Sequence, residues 1–371
     1  MKILAIESSC DETSAAIVEG AKTDPAVKII ANNTASSLPT HSKTGGIIPE
    51  AAAREQVKFI IPVIKKTLED ANLSFSSQNP PDLDAIAVTI GPGLIGSLLV
   101  GVETAKTLSF IWNKPIIPVN HLIGHIYANF VEQTTDYRLQ TTVDSRPSTV
   151  LASIEFPAIV LVVSGGHTDL ILLKNNGKIT WLGGTRDDAA GECFDKIGRL
   201  LKLPYPGGPN IEKMALKGNQ KAVNFPRPMI GSDNFDFSFS GLKTAVLREV
   251  KDKKLNKKEN ADICASAQKA IIDVLIRKTL KAAKRYNVKS ILLSGGVAAN
   301  QKLRDEFKSS IRRFEEASPL GGVNSQLSIN FCAPQKFLCT DNAAMIGAAA
   351  IYNCEKKSWK DIQVNPELYF D

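Results

Sequence analysis

The chain has 371 residues, of which 43% are hydrophobic and 22% charged, with a formal net charge of +7. That length exceeds one small domain, and the composition is globular, which excludes a disordered or fibrous chain. The mild positive charge permits an anionic partner: the basic runs 251–260 and 277–289 are either solvated faces or phosphate contacts.

The six cysteines include no C-x-x-C pair, so reduced thiols are expected. No apolar run reaches membrane-spanning length, and the opening MKILAIESS reads as a strand rather than a signal peptide. A soluble cytoplasmic protein is the expectation.

In chain order, KILAIESSCDETSAAIVEG predicts a β-hairpin with acidic and hydroxyl residues at its tip. GGIIPEAAAREQVKFIIPVIKKTLEDANL has helical periodicity. DAIAVTI is a strand, GPGLIGSLLVGVETAKTLSFIW a turn and helix, and KPIIPVN a short strand leading into VNHLIGHIYANF, a third helix. Residues 132–156 are polar and poorly periodic, and read as an insertion or linker. PAIVLVVSGGHTDLILLK then repeats the opening strand–turn–strand pattern. TWLGGTRDDAAGECFDKIGRLLKL reads as a helix, PYPGGPNIEKMALKG as a turn and helix, and 225–246 as a mobile stretch before long helices over 260–287. KSILLSGGVAAN is a strand and turn before another helix, 317–330 a loop, and KFLCT a strand before the last helix. The repeated hairpin predicts two related α/β lobes: 1–131 completed by 343–371, and 157–342, with 132–156 between them.

The chain has four histidines, and two of them, His121 and His125, stand four residues apart. An i, i+4 pair projects from one helix face. Either the two are ordinary polar residues at a helix start capped by Asn120, or they chelate one divalent metal with a carboxylate from elsewhere. A metalloprotease is excluded, because the general-base Glu of H-E-x-x-H is replaced by Leu122. Asp341, at the start of the last helix, is either an N-cap, a role open to Thr340 as well, or the third ligand. The small residues of AAMIGAAAIY permit close packing against the histidine helix.

Two double-glycine turns, in VSGGHTD and LSGGVAAN, each follow an apolar strand. They are either tight turns or anion cradles of backbone N–H groups. GPGLIG matches G-x-G-x-x-G but lacks the acidic partner about 20 residues on, so it is set aside as a cofactor motif. SGLKT lacks the glycine spacing of a P-loop. Asp188, Glu192 and Asp195 share helical spacing, as a solvated face or as a carboxylate for ribose hydroxyls.

Together ESSCDETS, GGIIPE, GPGLIGSLLVG, HLIGH, VSGGHT, DDAAGECFDKIGRLL, YPGGP, FSFSGLKT, SGGVAAN and CTDNAAMI resemble, in order, the tRNA N6-adenosine threonylcarbamoyltransferase family, once misassigned as glycoprotein endopeptidases. His167 in the glycine loop is similar to the bacterial and mitochondrial branch. The resemblance implies an α/β actin/hexokinase-like (ASKHA) fold, two lobes each with a mixed β-sheet flanked by helices, and a central nucleotide cleft. It implies transfer of threonylcarbamoyl from threonylcarbamoyl-adenylate to N6 of the adenosine just after the anticodon, in tRNAs reading codons that begin with adenine, with release of AMP. His121, His125 and Asp341 match its metal ligands, usually for Fe2+, with Zn2+ as the alternative. Val162, Val163, Ser164, Gly165, Gly166, Asp195, Gly208 and Asn300 match adenylate-binding positions, and Glu212 a ribose-binding acid. Asp11 and Glu12 match acids near the reaction centre. The implied partners are tRNA, a paralogous protein of the same fold and a small ATPase. Two other readings are an ATPase or sugar kinase of the same fold, and a non-catalytic ATP-binding scaffold. The stretches 132–156 and 317–330 are longer than the family pattern.

Overall fold

The computed structural model describes residues 1–371 except 39–40, 42–45, 75, 77–78, 133–153, 317–327, 354 and 371. Most of the two long polar stretches, 132–156 and 317–330, therefore lies outside the described residues. The chain divides into two compact units, Met1–Leu151 with Pro334–Asp371, and Ala152–Ala333.

The first unit is built on β1 (Lys2–Glu7), β2 (Glu12–Glu19), β3 (Lys28–Ser36), β4 (Ala85–Gly91) and β5 (Ile116–Asn120), in the order β3-β2-β1-β4-β5. β1 and β2 form the expected antiparallel hairpin, from Lys2 opposite Glu19 to Glu7 opposite Ser14. β4 runs parallel to β1, and β5 parallel to β4. Helices α1 (Pro49–Asp70), α2 (Ile95–Trp112) and α3 (His121–Tyr127) belong to this unit. The two-residue period of a strand decides which helix each side chain meets. Leu4, Ile6, Ala15 and Ile17 join one core with Ile60, Ile64 and Val102 of α1 and α2. Ala5 and Val18 point the other way, onto the chain's last helix. Glu7 follows in register with Ala5, so a carboxylate enters the buried side of a sheet covered on both faces.

The second unit repeats the plan with β6 (Ala158–Val163), β7 (Thr168–Asn175), β8 (Lys178–Gly184), β9 (Ser290–Ser294) and β10 (Asn330–Cys332). Its order, β10-β9-β6-β7-β8, is the first sheet's order read from the opposite edge. β6 and β7 are the antiparallel hairpin, with β9 parallel to β6 and β10 parallel to β9. Helices α4 (Ala190–Leu200), α5 (Gly207–Ala215), α6 (Ser240–Val250), α7 (Lys257–Tyr286) and α8 (Gln301–Glu316) belong to it. α7 starts at a capping box, where Asn256 accepts from Glu259 N and Glu259 accepts from Asn256 N. The last helix, α9 (Ala343–Tyr352), returns to the first unit.

Several elements depart from expectation. TWLGG is not helical: it ends β8, and the helix starts at Ala190. The stretch 225–246 is pinned rather than mobile. Buried Lys278 donates to Ser232 Oγ at 2.5 Å and Asn234 O at 2.9 Å, and Arg227 pairs with Asp273 at 3.0 Å. KFLCT is not a strand: Lys336–Leu338 is a 3-10 turn, and a short apolar run cannot by itself tell the two apart. Residues 334–342 group with the first unit, whereas the sequence expectation ends the second lobe at 342. β3 and the three-residue β10 were not anticipated.

Candidate functional site

The histidine helix is short and defined by its cap. Asn120 Oδ1 accepts from Leu122 N at 2.8 Å and Ile123 N at 3.3 Å, which starts α3 directly after β5. His121 and His125 then fall one turn apart, both buried, with ring centroids 4.6 Å apart. Between them sits Gly124. A Cβ there would lie 2.6 Å from Ile346 Cδ1, so only glycine lets α9 pack this close without displacing that side chain. On its other side α9 presses Gly347 onto β2, where a Cβ would lie 2.4 Å from Val18 Cγ2.

That packing delivers Asp341. Its Oδ1 is 3.5 Å from His121 Nε2 and 3.3 Å from His125 Nε2. The cap of α9 is neither Thr340 nor Asp341 but Asn342, whose Oδ1 accepts from Met345 N at 3.0 Å. Ser14 Oγ accepts from Ala343 N at 2.9 Å and ties the same helix end to β2. The two readings of Asp341 thus separate: capping falls to its neighbour, and its own carboxylate faces the imidazoles.

A carboxylate lies behind the pair. Glu7, fully buried, accepts from Thr89 Oγ1 at 2.6 Å through Oε2, which also lies 3.1 Å from His121 Nδ1, and from Ser9 N at 2.6 Å through Oε1. Sequence reasoning missed it, although a lone acid ending the apolar run KILAI was a usable signal. Burial alone would lower the pKa of His121, but the carboxylates of Asp341 and Glu7 outweigh it and push it up to about 9. Burial lowers that of His125, against the pull of Asp341.

These residues fit a cation. One ligand atom from each of His121, His125 and Asp341 lies within 4.8 Å of the others. Ligands about 2.0–2.2 Å from one ion sit roughly 3.0–3.6 Å apart, as the 3.3 and 3.5 Å separations do. His125 is buried, and its Nε2 meets only the Asp341 carboxylate among the described residues, at 3.3 Å and without good hydrogen-bond geometry, which leaves that nitrogen available to a cation. Two imidazoles and a carboxylate are a transition-metal donor set.

Asp11 and Glu12 reach the same place. They form a second group with Asp341, again within 4.8 Å. Burial, with Asp11 and Asp341 nearby, holds the Glu12 carboxyl well above the usual carboxylate range. The same causes, burial first, raise the Cys10 thiol so far that it is no thiolate nucleophile. Gln56 braces this turn, donating to Cys10 O at 2.9 Å and Glu12 O at 3.1 Å. The glycines of GPGLIG are spent on packing: a Cβ on Gly93 would meet Ser9 O at 2.5 Å, and one on Gly96 would meet Ala53 Cβ at 3.2 Å.

In the second unit the two double-glycine turns meet at one end of the sheet. Val162 is in register with Ser294, and Gly295, at φ +86°, lies where a Cβ would be 2.4 Å from Val163 O. Around Gly165, Gly166 and Gly296 a Cβ would meet nothing within 4 Å. Ser164 N donates to His167 O at 2.8 Å and closes the first turn. Val162 and Val163 are fully buried in β6, so only their backbone is available to a ligand. Asp195 Oδ1 accepts from Gly207 N at 2.7 Å and lies 3.4 Å from Gly208 N. Glu212 Oε1 accepts from Gln301 N at 2.6 Å, and Asn300 Nδ2 donates to Gln268 Oε1 at 3.0 Å. Glu212, Gln268 and Gln301 line a cavity of about 430 Å³. Asp188, Glu192 and Asp195 do not act as one face. Asp188 precedes α4 and pairs with Lys196 at 2.7 Å, as does Glu192 at 2.8 Å, while Asp195 turns to α5.

The profile of the tRNA N6-adenosine threonylcarbamoyltransferase family matches residues 28–348. A protein of that name from Moorella thermoacetica is 45% identical over 370 residues, covering 99% of this chain and 96% of the relative. Those from Clostridium kluyveri and Halalkalibacterium halodurans are 43% identical, covering 98% of this chain and 96% and 94% of theirs. Among solved structures, full-length HypF in its phosphate- and nucleotide-bound form has a TM-score of 0.54 at 12% identity. That match covers 96% of this chain and 47% of that one, so this chain spans about half of HypF, and the likeness is one of fold. The matched profile and near full-length relatives agree with the two helix-flanked mixed sheets and the His–His–Asp cluster: the chain belongs to the tRNA N6-adenosine threonylcarbamoyltransferase family of tRNA-modifying transferases.

Proposed function

We propose that the chain transfers threonylcarbamoyl from threonylcarbamoyl-adenylate to N6 of the adenosine just after the anticodon of tRNAs that read codons beginning with adenine. The observation that carries this reading is the convergence of His121, His125 and Asp341, with Asp11 and Glu12 sharing the aspartate. The metal is Fe2+, with Zn2+ as the alternative. When bound, it supplies Lewis-acid polarisation of the carbonyl to be attacked. The N6–carbon bond forms, the carbon–oxygen bond to the phosphate breaks, AMP leaves with the electron pair, and N6 loses a proton. Glu12, its basicity raised by burial, or Asp11 beside it takes that proton. The donor is already activated, so no covalent nucleophile is required, in keeping with the suppressed Cys10 thiol.

For the leaving nucleotide we assign the second unit. Open glycines at Gly165 and Gly166 let backbone N–H groups approach a phosphate. Val162, Val163 and Ser164 contribute backbone, Asp195 and Gly208 orient the start of α5, Asn300 holds Gln268 on the wall of the adenosine cavity, and Glu212, on the same wall, takes the ribose hydroxyls. A paralogous partner of the same fold, and a small ATPase, fit the exposed Val57 and Ile61 of α1 and Ile95 and Leu99 of α2. No helix among the described residues is long and apolar enough to cross a membrane, and we place the reaction with tRNA in the cytoplasm.

A kinase or ATPase of this fold has no need of a buried imidazole pair, which favours the transferase. The test is His121→Ala, assayed for metal content and for transfer to unmodified tRNA from ATP, threonine and bicarbonate in the presence of cell extract. Loss of both is expected; retained metal with full transfer would overturn the assignment.

A further inference from the structure

We infer that Glu7 is a positioning residue that sets the tautomer of His121, holding its proton on Nδ1 so that Nε2 presents a lone pair to the cation. The inference rests on the reading of His121, His125 and Asp341 as a metal site.

A neutral imidazole carries one proton, and the nitrogen that carries it cannot ligate. At His121 the Nε2 atom faces Asp341 and Nδ1 faces Glu7 Oε2 at 3.1 Å. A carboxylate only accepts, so it stabilises the Nδ1–H form. Glu7 is itself held from two other directions. Ser9 N donates to Oε1 at 2.6 Å and Thr89 Oγ1 to Oε2 at 2.6 Å. The register of β1 turns its side chain away from the Leu4 and Ile6 core, towards α3. Partners for both oxygens keep a fully buried carboxylate in one orientation.

This network makes Glu7→Gln a sharp probe. The backbone N–H of Ser9 can only donate, so the amide oxygen must take the place of Oε1. The amide nitrogen then takes the place of Oε2 and donates to His121 Nδ1, while the Thr89 hydroxyl rotates to accept. Every hydrogen bond survives, yet the proton is driven to Nε2, the wrong nitrogen for a metal. Glu7→Ala removes the same charge but sets no donor against Nδ1, so the proton that Asp341 draws to Nε2 can still move to Nδ1 when a metal takes its place.

The experiment measures Zn2+ affinity of metal-free wild type, Glu7→Gln, Glu7→Ala and His121→Ala by competition with a chromophoric chelator. Long-range proton–nitrogen spectra of the imidazoles are recorded at alkaline pH, where they are neutral. With four histidines in the chain, assignment by substitution is direct. We expect Glu7→Gln to lose about 10–100-fold in Zn2+ affinity, to bind more weakly than Glu7→Ala, to show Nε2–H at His121, and to unfold no earlier than wild type. A merely structural role gives the reverse order, because glutamine preserves packing that alanine removes. Wild-type affinity in Glu7→Gln, or an Nε2–H tautomer in the wild type, overturns the role of Glu7 alone. Zn2+ affinity unchanged by His121→Ala overturns the metal reading beneath it.

Discussion

The two sheets share one strand order, and their hairpins end in opposite ways. In the first unit the turn after β1 is crowded with side chains: Glu7 meets His121, Asp11 and Glu12 gather on Asp341, and Gln56 braces the backbone beneath. In the second unit the matching turn after β6 carries Gly165 and Gly166, and nothing fills the space a side chain would occupy. On the proposed reading, one scaffold supports two chemistries. A side-chain site concentrates charge and donor atoms for a cation and proton transfer; a bare-backbone site offers N–H groups to a phosphate. The difference predicts that substitutions will act on different quantities in the two halves.

The largest effect belongs to the crowded turn. Asp341→Asn keeps the shape but removes the charge shared by His121, His125 and Glu12. Transfer should fall by roughly 10²–10³-fold, with metal lost in parallel, while α9 itself stays formed because Asn342 carries its cap. Full activity with full metal content would break the comparison at its first term.

Next comes pH. The metal-free His121 keeps its proton up to about 9, through the carboxylates of Asp341 and Glu7. Its folded pKa is raised above the ordinary imidazole value of about 6.5, so this group stabilises the metal-free fold below that value and the contribution is lost as pH rises towards 9. A cation must displace that proton. Its apparent affinity should therefore rise about tenfold per pH unit up to about 9 and level off above. A flat profile between 7 and 9, measured by metal competition, would mean that the two carboxylates do not hold the proton.

The bare turn should respond differently. Gly165→Ala places a methyl group in open space, so stability should stay within about 0.5 kcal/mol. Adenylate affinity should fall about tenfold, because the methyl blocks approach to the backbone. Gly295→Ala is the opposite case. At φ +86° and 2.4 Å from Val163 O it cannot be accommodated, and a loss on the order of 1–3 kcal/mol is expected in denaturant unfolding. The pair separates a glycine kept for a ligand from one kept for the fold.

How much of this was legible in the chain follows the range of the interaction involved. The opening hairpin, the histidine spacing and both double glycines are local patterns and could be read directly. β3 could not: KIIANNTAS interrupts its apolar residues with a polar pair, and it forms because β2 offers an antiparallel edge. TWLGG is compatible with strand and helix alike, as short apolar runs are, and its pairing with β7 decides. Asp188, Glu192 and Asp195 have helical spacing, but Asp188 lies before the helix and Asp195 is claimed by Gly207. Glu7 became meaningful only once His121, 114 residues away, was placed on it.

The smallest expected effect tests the far edge of the bare-backbone site. Glu212 spends Oε1 on Gln301 N at 2.6 Å and lines the 430 Å³ cavity. In Glu212→Gln that backbone donor must keep an oxygen opposite it, which turns the amide nitrogen towards the cavity. A ribose hydroxyl can rotate to accept from that nitrogen, so the hydrogen bond is exchanged rather than lost, and only its charge assistance disappears. Adenylate affinity should drop by a few-fold, equivalent to about 0.5–1.5 kcal/mol, while metal affinity, set in the first unit, stays unchanged. Discrimination against the 2′-deoxy nucleotide should weaken along with it, since that preference draws on the same carboxylate. A Glu212→Gln protein that lost metal but kept the nucleotide would show that the division of labour between the two turns is wrong.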